Sequence, residues 1–176
     1  LNKKKYVNIK IYNADILYWD LSVIPNGTKI IGNLPYYISS PIFFQLLKKN
    51  IWRKMVLMFQ KELSDRILSI PGKKTYGRIS VMSQVYTNTK NNFLVPHTVF
   101  QPMPKVDSSV ITFLPKNNTP ELNKFSKLIR KSFSHRRKKI KNNLPEIYNL
   151  GIIDKWANLR PGEITPQEYV EVYNRI

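Results

Sequence analysis

Asn33-Leu34-Pro35-Tyr36 is the stretch of this chain best suited to chemistry. It follows the short apolar run Lys29-Ile30-Ile31-Gly32, which reads as a strand, and so stands where that strand ends. In open α/β sheets, ligands bind at the carboxyl ends of strands. An Asn side chain, carbonyls left exposed beside a proline, and an aromatic ring together suit one task. The carbonyls accept both hydrogens of an exocyclic amine, and the ring stacks on the flat base that carries it. An ordinary proline turn over a core tyrosine would use the same four residues, so the surroundings must decide.

The elements around this stretch alternate. Val7-Asn8-Ile9-Lys10-Ile11 reads as a strand, ending at Asn13-Ala14-Asp15. Pro25-Asn26-Gly27 is a turn. Ser39-Ser40-Pro41 opens a helix whose Ile42, Phe43, Leu46 and Leu47 fall on one face. Met55 to Phe59 is continuously apolar, as in a strand buried on both faces. Leu63, Ile67 and Leu68 continue as a helix, stopped by Pro71-Gly72, and Arg78 to Tyr86 reads as another. Asn91 to Val95 and Val106 to Leu114 read as two strands that pair antiparallel. The stretch between them, Pro96 to Pro104, holds three prolines and must be a loop. This alternation predicts an α/β layer architecture. Beyond the polar linker Lys116 to Pro120 the strand pattern stops. Phe125, Leu128, Ile129 and Phe133 make one helical face, and Ile140 and Leu144 another; Ile152, Ile153 and Trp156 follow. Thr165-Pro166-Gln167-Glu168 opens a last helix with a capping-box pattern.

Composition narrows the partner. The 176 residues hold 29 Lys plus Arg against 11 Asp plus Glu, a net charge of +18. That excess suggests a polyanion: RNA, DNA or an anionic membrane. A profile of 21 Lys, 17 Asn and 20 Ile with two Ala also fits compositional drift in an AT-rich genome. The excess covers both regions, +12 over residues 1–120 and +6 over 121–176. Its densest run, Lys127 to Lys141, has eight basic side chains and no acidic one. A hydrophobic content of 42% excludes a solvated basic tail. The absence of Cys excludes a disulfide scaffold and a thiolate metal site. There is no run of about 18 apolar residues and no signal-peptide pattern, so no membrane association is expected and the cytoplasm is the default. His97 and His135 have no partner at metal-ligand spacing; they read as incidental, and no metal is expected.

Five blocks in order give the chain a family resemblance. They are Asn33 to Pro41; Phe59-Gln60-Lys61-Glu62 with Asp65-Arg66; Tyr76 to Met82; Phe100-Gln101-Pro102-Met103-Pro104-Lys105-Val106-Asp107-Ser108-Ser109-Val110; and Ser132 to Lys139. Over nearly its whole length the chain resembles the ribosomal RNA adenine dimethylase family, in its bacterial small-subunit dimethyladenosine transferase branch. The resemblance implies an α/β fold with a Rossmann-like class I methyltransferase sheet, incomplete at the N-terminus. Residues 1–116 would be the C-terminal portion of the catalytic domain, and residues 121–176 a small all-helical RNA-binding domain. It implies S-adenosyl-L-methionine as methyl donor. The substrate would be two adjacent adenosines of small-subunit rRNA, within an immature 30S-type particle, and the protein a monomer. The acceptor site falls on Asn33, Leu34, Pro35 and Tyr36, with Phe100 as a second aromatic wall. Asp15 falls where the family contacts the cofactor's adenine, and Asn33 also borders the cofactor. Arg136, Arg137, Lys138 and Lys139 are the candidate phosphate contacts; Lys105 and Asp107 read first as bracing the proline loop, with Lys105 a further RNA-facing candidate. The rival readings are plain. Asp15 could cap the next element, Phe100 could be a core aromatic, and the basic cluster a solvated face. Glu62, Asp65 and Arg66 read as a solvated helix face with local ion pairs.

The chain departs from the family in lacking the glycine-rich loop after the first strand and the acidic residue that holds the cofactor ribose. It has Tyr37 where Asn is usual and Met103 where Pro is usual. It begins at Leu1 rather than Met. The expectation is a chain truncated at its N-terminus by roughly 60–90 residues, and a fragment that alone is poorly soluble, binds no cofactor measurably and is inactive. The alternatives are a non-catalytic ribosome-assembly factor, or a related rRNA or DNA adenine-N6 methyltransferase.

Overall fold

A computed structural model describes residues 8–49 and 51–176. Four strands form one mixed sheet: β1 (Thr28–Asn33), β2 (Trp52–Gln60), β3 (Thr87–Val95) and β4 (Ser108–Pro115), in the order β1-β2-β4-β3. β1 and β2 are parallel, and the connection between them carries α1 (Ser39–Lys49). β2 pairs antiparallel with β4, and β4 antiparallel with β3 across a bulge between Asn91 and Phe93. After β2 the chain makes α2 (Lys61–Ile67) and α3 (Arg78–Tyr86) before returning as β3. After β4 come α4 (Leu122–Ser132), α5 (Ile140–Asn143), α6 (Pro145–Asn149) and α7 (Pro166–Asn174), joined by turns.

The apolar residues of α1 and the strands meet in an aromatic knot. Phe43, Phe59 and Phe113 are all fully buried. Their ring centroids lie 5.0–6.1 Å apart, in tilted or edge-on pairs. Such arrangements contribute beyond the area they bury. α1 is fastened to the start of β2 by Trp52, whose Nε1 donates to the Leu46 carbonyl at 2.8 Å. α3 is covered on both sides, which explains its small buried Ser80 and Ser83. It packs on α2 toward the sheet and on α4 and α7 beyond it. Tyr86 and Tyr173 both stack edge-on against Phe125, and the Tyr76 hydroxyl donates to the Ile164 carbonyl. One apolar cluster therefore runs from Leu21 through the sheet to Val172 in α7.

Most sequence-predicted elements are present, and four expectations need correction. Residues 8–11 of the expected strand 7–11 form no strand, and Val7 lies outside the described residues. β2 is not buried on both faces: Met55, Leu57 and Phe59 are fully buried, while Val56 and Met58 are half-covered. The basic cluster 136–139 is not helical, because α4 ends at Ser132 and the chain then turns. The expected strand from Val106 begins at Ser108, because Asp107 is held in other bonds. Thr165 caps α7, accepting from the Glu168 N–H while the Glu168 carboxylate accepts from the Thr165 N–H.

Replacing Phe113 by Ala opens a cavity in the aromatic knot and should cost about 3–5 kcal/mol, read as a lowered urea midpoint. Glu121 caps α4, its carboxylate accepting the Asn123 and Lys124 N–H groups at 2.8 and 2.9 Å. The Lys124 and then the Asn123 bond hold its pKa below the ordinary 4.5. Its contribution is therefore complete above pH 4.5 and is lost as pH falls through the lowered folded value. Glu121→Gln should make stability fall less steeply between about pH 5 and pH 3, measured by denaturation at a series of pH values.

Candidate functional site

β1 delivers Asn33 to its carboxyl end, where the main chain turns through Leu34 and Pro35 into a 3-10 turn, Tyr36–Ile38. Gly32 permits the tight exit. A Cβ there would stand 2.9 Å from Leu34 Cδ2 and 3.0 Å from Leu57 Cδ2. Leu34 can thus fold back onto the strand and anchor the turn, leaving Asn33 and Pro35 exposed. The turn is held by the Ile38 N–H, which donates to the Pro35 carbonyl, and by the Ser39 hydroxyl, which donates to the Tyr36 carbonyl. Among the described residues no turn or loop N–H bonds the Leu34 carbonyl.

The opposite wall comes from the loop between β3 and β4. Phe100 follows the 3-10 turn His97–Val99 and is half-buried. Asn33, Leu34, Pro35 and Tyr36 face Phe100, Gln101, Pro102 and Pro104 across an open pocket of about 360 Å³. Two aromatic residues and the end of a strand, far apart in sequence, thus border one space. The Tyr36 hydroxyl lies 2.6 Å from Ser108 Oγ, and Ser108 is fully buried at the start of β4. That contact secures the Tyr36 ring from beneath.

Asp15 stands apart from this lining. It is exposed, and its Oδ1 accepts the Leu17 N–H at 2.9 Å while its carbonyl accepts the Trp19 N–H at 2.8 Å. In this structure it caps a turn. Lys105 borders a neighbouring hollow with Lys61, Glu62, Asp65, His97 and Asp107. Lys61 pairs with Asp65 at 2.6 Å, so the local ion pair on this helix face involves Lys61, which was not singled out for it from the sequence. His97 is not incidental: its Nδ1 lies 2.7 Å from Asp107 Oδ1. The His97 bonds, ring first and backbone second, hold the Asp107 carboxyl below its ordinary pKa. Among the described residues no three His, Asp or Glu side chains gather as a metal cluster.

The basic cluster divides its labour. Arg136 Nη2 donates to the Lys74 carbonyl at 2.9 Å and the Tyr76 carbonyl at 2.6 Å, tying the turn after α4 to the turn before α3. Lys139 reaches Asn158 Oδ1 at 3.2 Å, while Lys138 is exposed. Arg137 lines a cleft of about 570 Å³ with Lys73, Lys74, Arg136 and Arg160. The Gly72 N–H donates to the Gly162 carbonyl at 2.8 Å, fastening the two rims of this cleft. Its one carboxylate, Glu163, is occupied by the Arg160 N–H. Lys73, Lys74 and Arg160 were not singled out from the sequence. The Lys73-Lys74 pair after the Pro71-Gly72 turn was the available signal, and Arg160 offered none.

Comparison with known proteins places these observations. The family model described as ribosomal RNA adenine dimethylase matches residues 1–175. A curated relative from Francisella tularensis subsp. novicida, ribosomal RNA small subunit methyltransferase A, is 39% identical over 188 residues, covering 98% of this chain and 71% of the relative. A dimethyladenosine transferase from Plasmodium falciparum superposes with a TM-score of 0.83 at 24% identity, covering 96% of this chain and 72% of that one. The 23S rRNA methyltransferase ErmE does so at 0.67 and 20% identity, over 98% and 74% of the two chains. At these identities the two structures speak for the fold, a methyltransferase sheet of the Rossmann-like class.

The two adjacent arginines should behave differently. Arg136→Ala leaves two carbonyls without their donor and should cost about 1–2 kcal/mol. Arg137→Ala should stay within about 0.5 kcal/mol of the parent. Denaturant midpoints of the two variants check this, and equal losses would contradict the division.

Proposed function

Since the chain belongs to the ribosomal RNA adenine dimethylase family, we propose that its pocket takes an unpaired adenine of small-subunit rRNA and serves transfer of two methyl groups to N6 of each of two adjacent adenosines. The observation that carries this is the pocket itself, where Asn33 and the Leu34 carbonyl stand at a strand end between Tyr36 and Phe100.

The chemistry asks for little more. An adenine exocyclic amine is a poor nucleophile because its lone pair is delocalised into the ring. The Asn33 carboxamide oxygen and the Leu34 carbonyl accept its two hydrogens, which favours a pyramidal nitrogen with a localised lone pair. Tyr36 and Phe100 hold the base between them, and this fixes the direction of the lone pair. A base inside a duplex cannot reach such a pocket, so the target is single-stranded, looped or flipped out.

A reaction of this family takes a methyl donor, and S-adenosyl-L-methionine is the one we assign. When bound, it supplies an activated methyl on a sulfonium. The donor set suits it in part. Asn33 borders the pocket, and Asp15 is an exposed carboxylate with Oδ1 committed to Leu17 and Oδ2 free of any bond among the described residues. Asp15 would accept the cofactor's adenine amine, and Asn33 would stand between cofactor and substrate.

Arg137, Lys138 and Lys139, with Lys73, Lys74 and Arg160 across the cleft, form a basic surface suited to a phosphate backbone; Lys105 adds a contact beside the pocket. Arg136 shapes that surface through the two carbonyls it holds. We assign residues 121–176 to RNA binding and residues 1–116 to the catalytic domain. The protein would work as a monomer on an immature small-subunit particle in the cytoplasm. Among the described residues no helix is long and apolar enough to cross a membrane.

The test is labelled methyl transfer by the intact gene product to immature small subunits, with the products identified as adenosines methylated at N6. Asn33→Ala should lower kcat about 10²–10³-fold and leave RNA affinity within about twofold. Tight binding without methyl incorporation by the parent would overturn the enzymatic reading. Unchanged turnover in the variant would overturn the acceptor site.

A further inference from the structure

The loop that carries Phe100 has few means of holding itself. Pro102 and Pro104 have no N–H to donate. Its internal main-chain bonds lie only at its start, where the Val99 N–H donates to the Pro96 carbonyl and the Phe100 N–H to the His97 carbonyl, both at 3.3 Å. The anchoring falls at the neck. The last paired residues of β3 and β4 are Val95 and Ser108. Just beyond them, Asp107 Oδ1 accepts the His97 backbone N–H at 2.9 Å and lies 2.7 Å from His97 Nδ1. Asp107 is itself fixed from the other side, because its carbonyl accepts the Lys61 N–H at the start of α2 at 2.9 Å. The residue after it, Ser108, carries the hydroxyl that meets Tyr36. Both aromatic walls of the pocket thus hang from one short segment: Phe100 through His97, and Tyr36 through Ser108.

We propose that His97 and Asp107 form a clasp across the neck of this loop that positions Phe100 against the substrate base. They are positioning residues, since neither lines the pocket that holds the base. The inference rests on the reading of that pocket as the adenine site. Its physical basis is tolerance: displacing a reacting group by about 1 Å from a productive pose costs up to about 10²-fold in rate, and a ring at the tip of an unclasped proline loop has that freedom.

The charges around the clasp favour the bond. Asp107 is kept ionised by its bonds to His97, assisted by Lys61. Lys105, Glu62 and Asp65 face the same hollow, and Asp65 is engaged by Lys61 Nζ. The imidazole can donate from Nδ1 in its neutral form as well as its charged form, with Asp107 selecting the tautomer that bears the proton there.

The experiment compares His97→Ala with His97→Asn in the intact gene product, because the Asn amide can take the position of Nδ1 and donate to Asp107. On small-subunit rRNA, His97→Ala should lower kcat about tenfold with KM for RNA within about twofold, and His97→Asn should recover most of the loss. A parent-like kcat in His97→Ala, or a loss that Asn does not recover, overturns the clasp. In parallel, Phe100 ring signals in spectra of ¹³C-phenylalanine-labelled protein, identified with Phe100→Leu, should shift in His97→Ala and return in His97→Asn. This second readout needs no turnover. If the parent transfers no methyl group, the adenine-site reading fails, while unmoved Phe100 signals in His97→Ala refute the clasp separately.

Discussion

The contact between the Tyr36 hydroxyl and Ser108 Oγ joins residues 72 positions apart. It exists because β4 lies antiparallel between β2 and β3, with Ser108 opposite Gln60 at one end of the sheet and Val95 at the other flank. That insertion brings the β3–β4 loop beside the carboxyl end of β1. With β4 elsewhere, Asn33 would end a strand beside nothing, and Phe100 would tip a loop far from it. The buried rings of Phe43, Phe59 and Phe113 are what hold β4 in that place, since Phe113 is the β4 member of the knot. Packing in the core and chemistry at the rim are therefore one constraint seen from two ends.

The same economy governs the charged surface. A net charge of +18 says only that a polyanion is welcome. The fold then spends one cation on itself: Arg136 bridges to the main chain ahead of α3, and that bridge brings Lys73 and Lys74 opposite Arg137 and Arg160. A guanidinium with its fork of donors suits this use better than an ammonium would. The cleft is thus made by an arginine and lined by its neighbours.

Much of this was legible beforehand. The 3.6-residue spacing of Ile42, Phe43, Leu46 and Leu47 marked α1, the limits of α3 were readable at Arg78 and Tyr86, and the Thr165 and Glu168 pattern marked the cap of α7. The turn after β1 was legible because a proline and an aromatic directly after a strand restrict the chain locally. Failures came where local pattern and environment part company. Residues 8–11 alternate like a strand, but alternation does not supply a partner to pair with. The apolar run of β2 suggested two covered faces, yet Val56 and Met58 are half-covered. His97 looked idle because its partner stands ten positions away across a loop.

The amino-acid sequence by itself determined most of the local elements, the family, and which residues at the end of β1 carry an amide carbonyl or an aromatic ring. Those properties follow from side-chain chemistry and short-range spacing. Only the tertiary structure decided that Phe100 faces Asn33, that Asp15 caps a turn, that Arg136 serves the fold while Arg137 faces solvent, and that Asp107 closes the loop on His97. Each of these depends on which strand lies beside which. Strand order is set by how buried side chains fill the space between layers, a many-body fit that no local periodicity encodes.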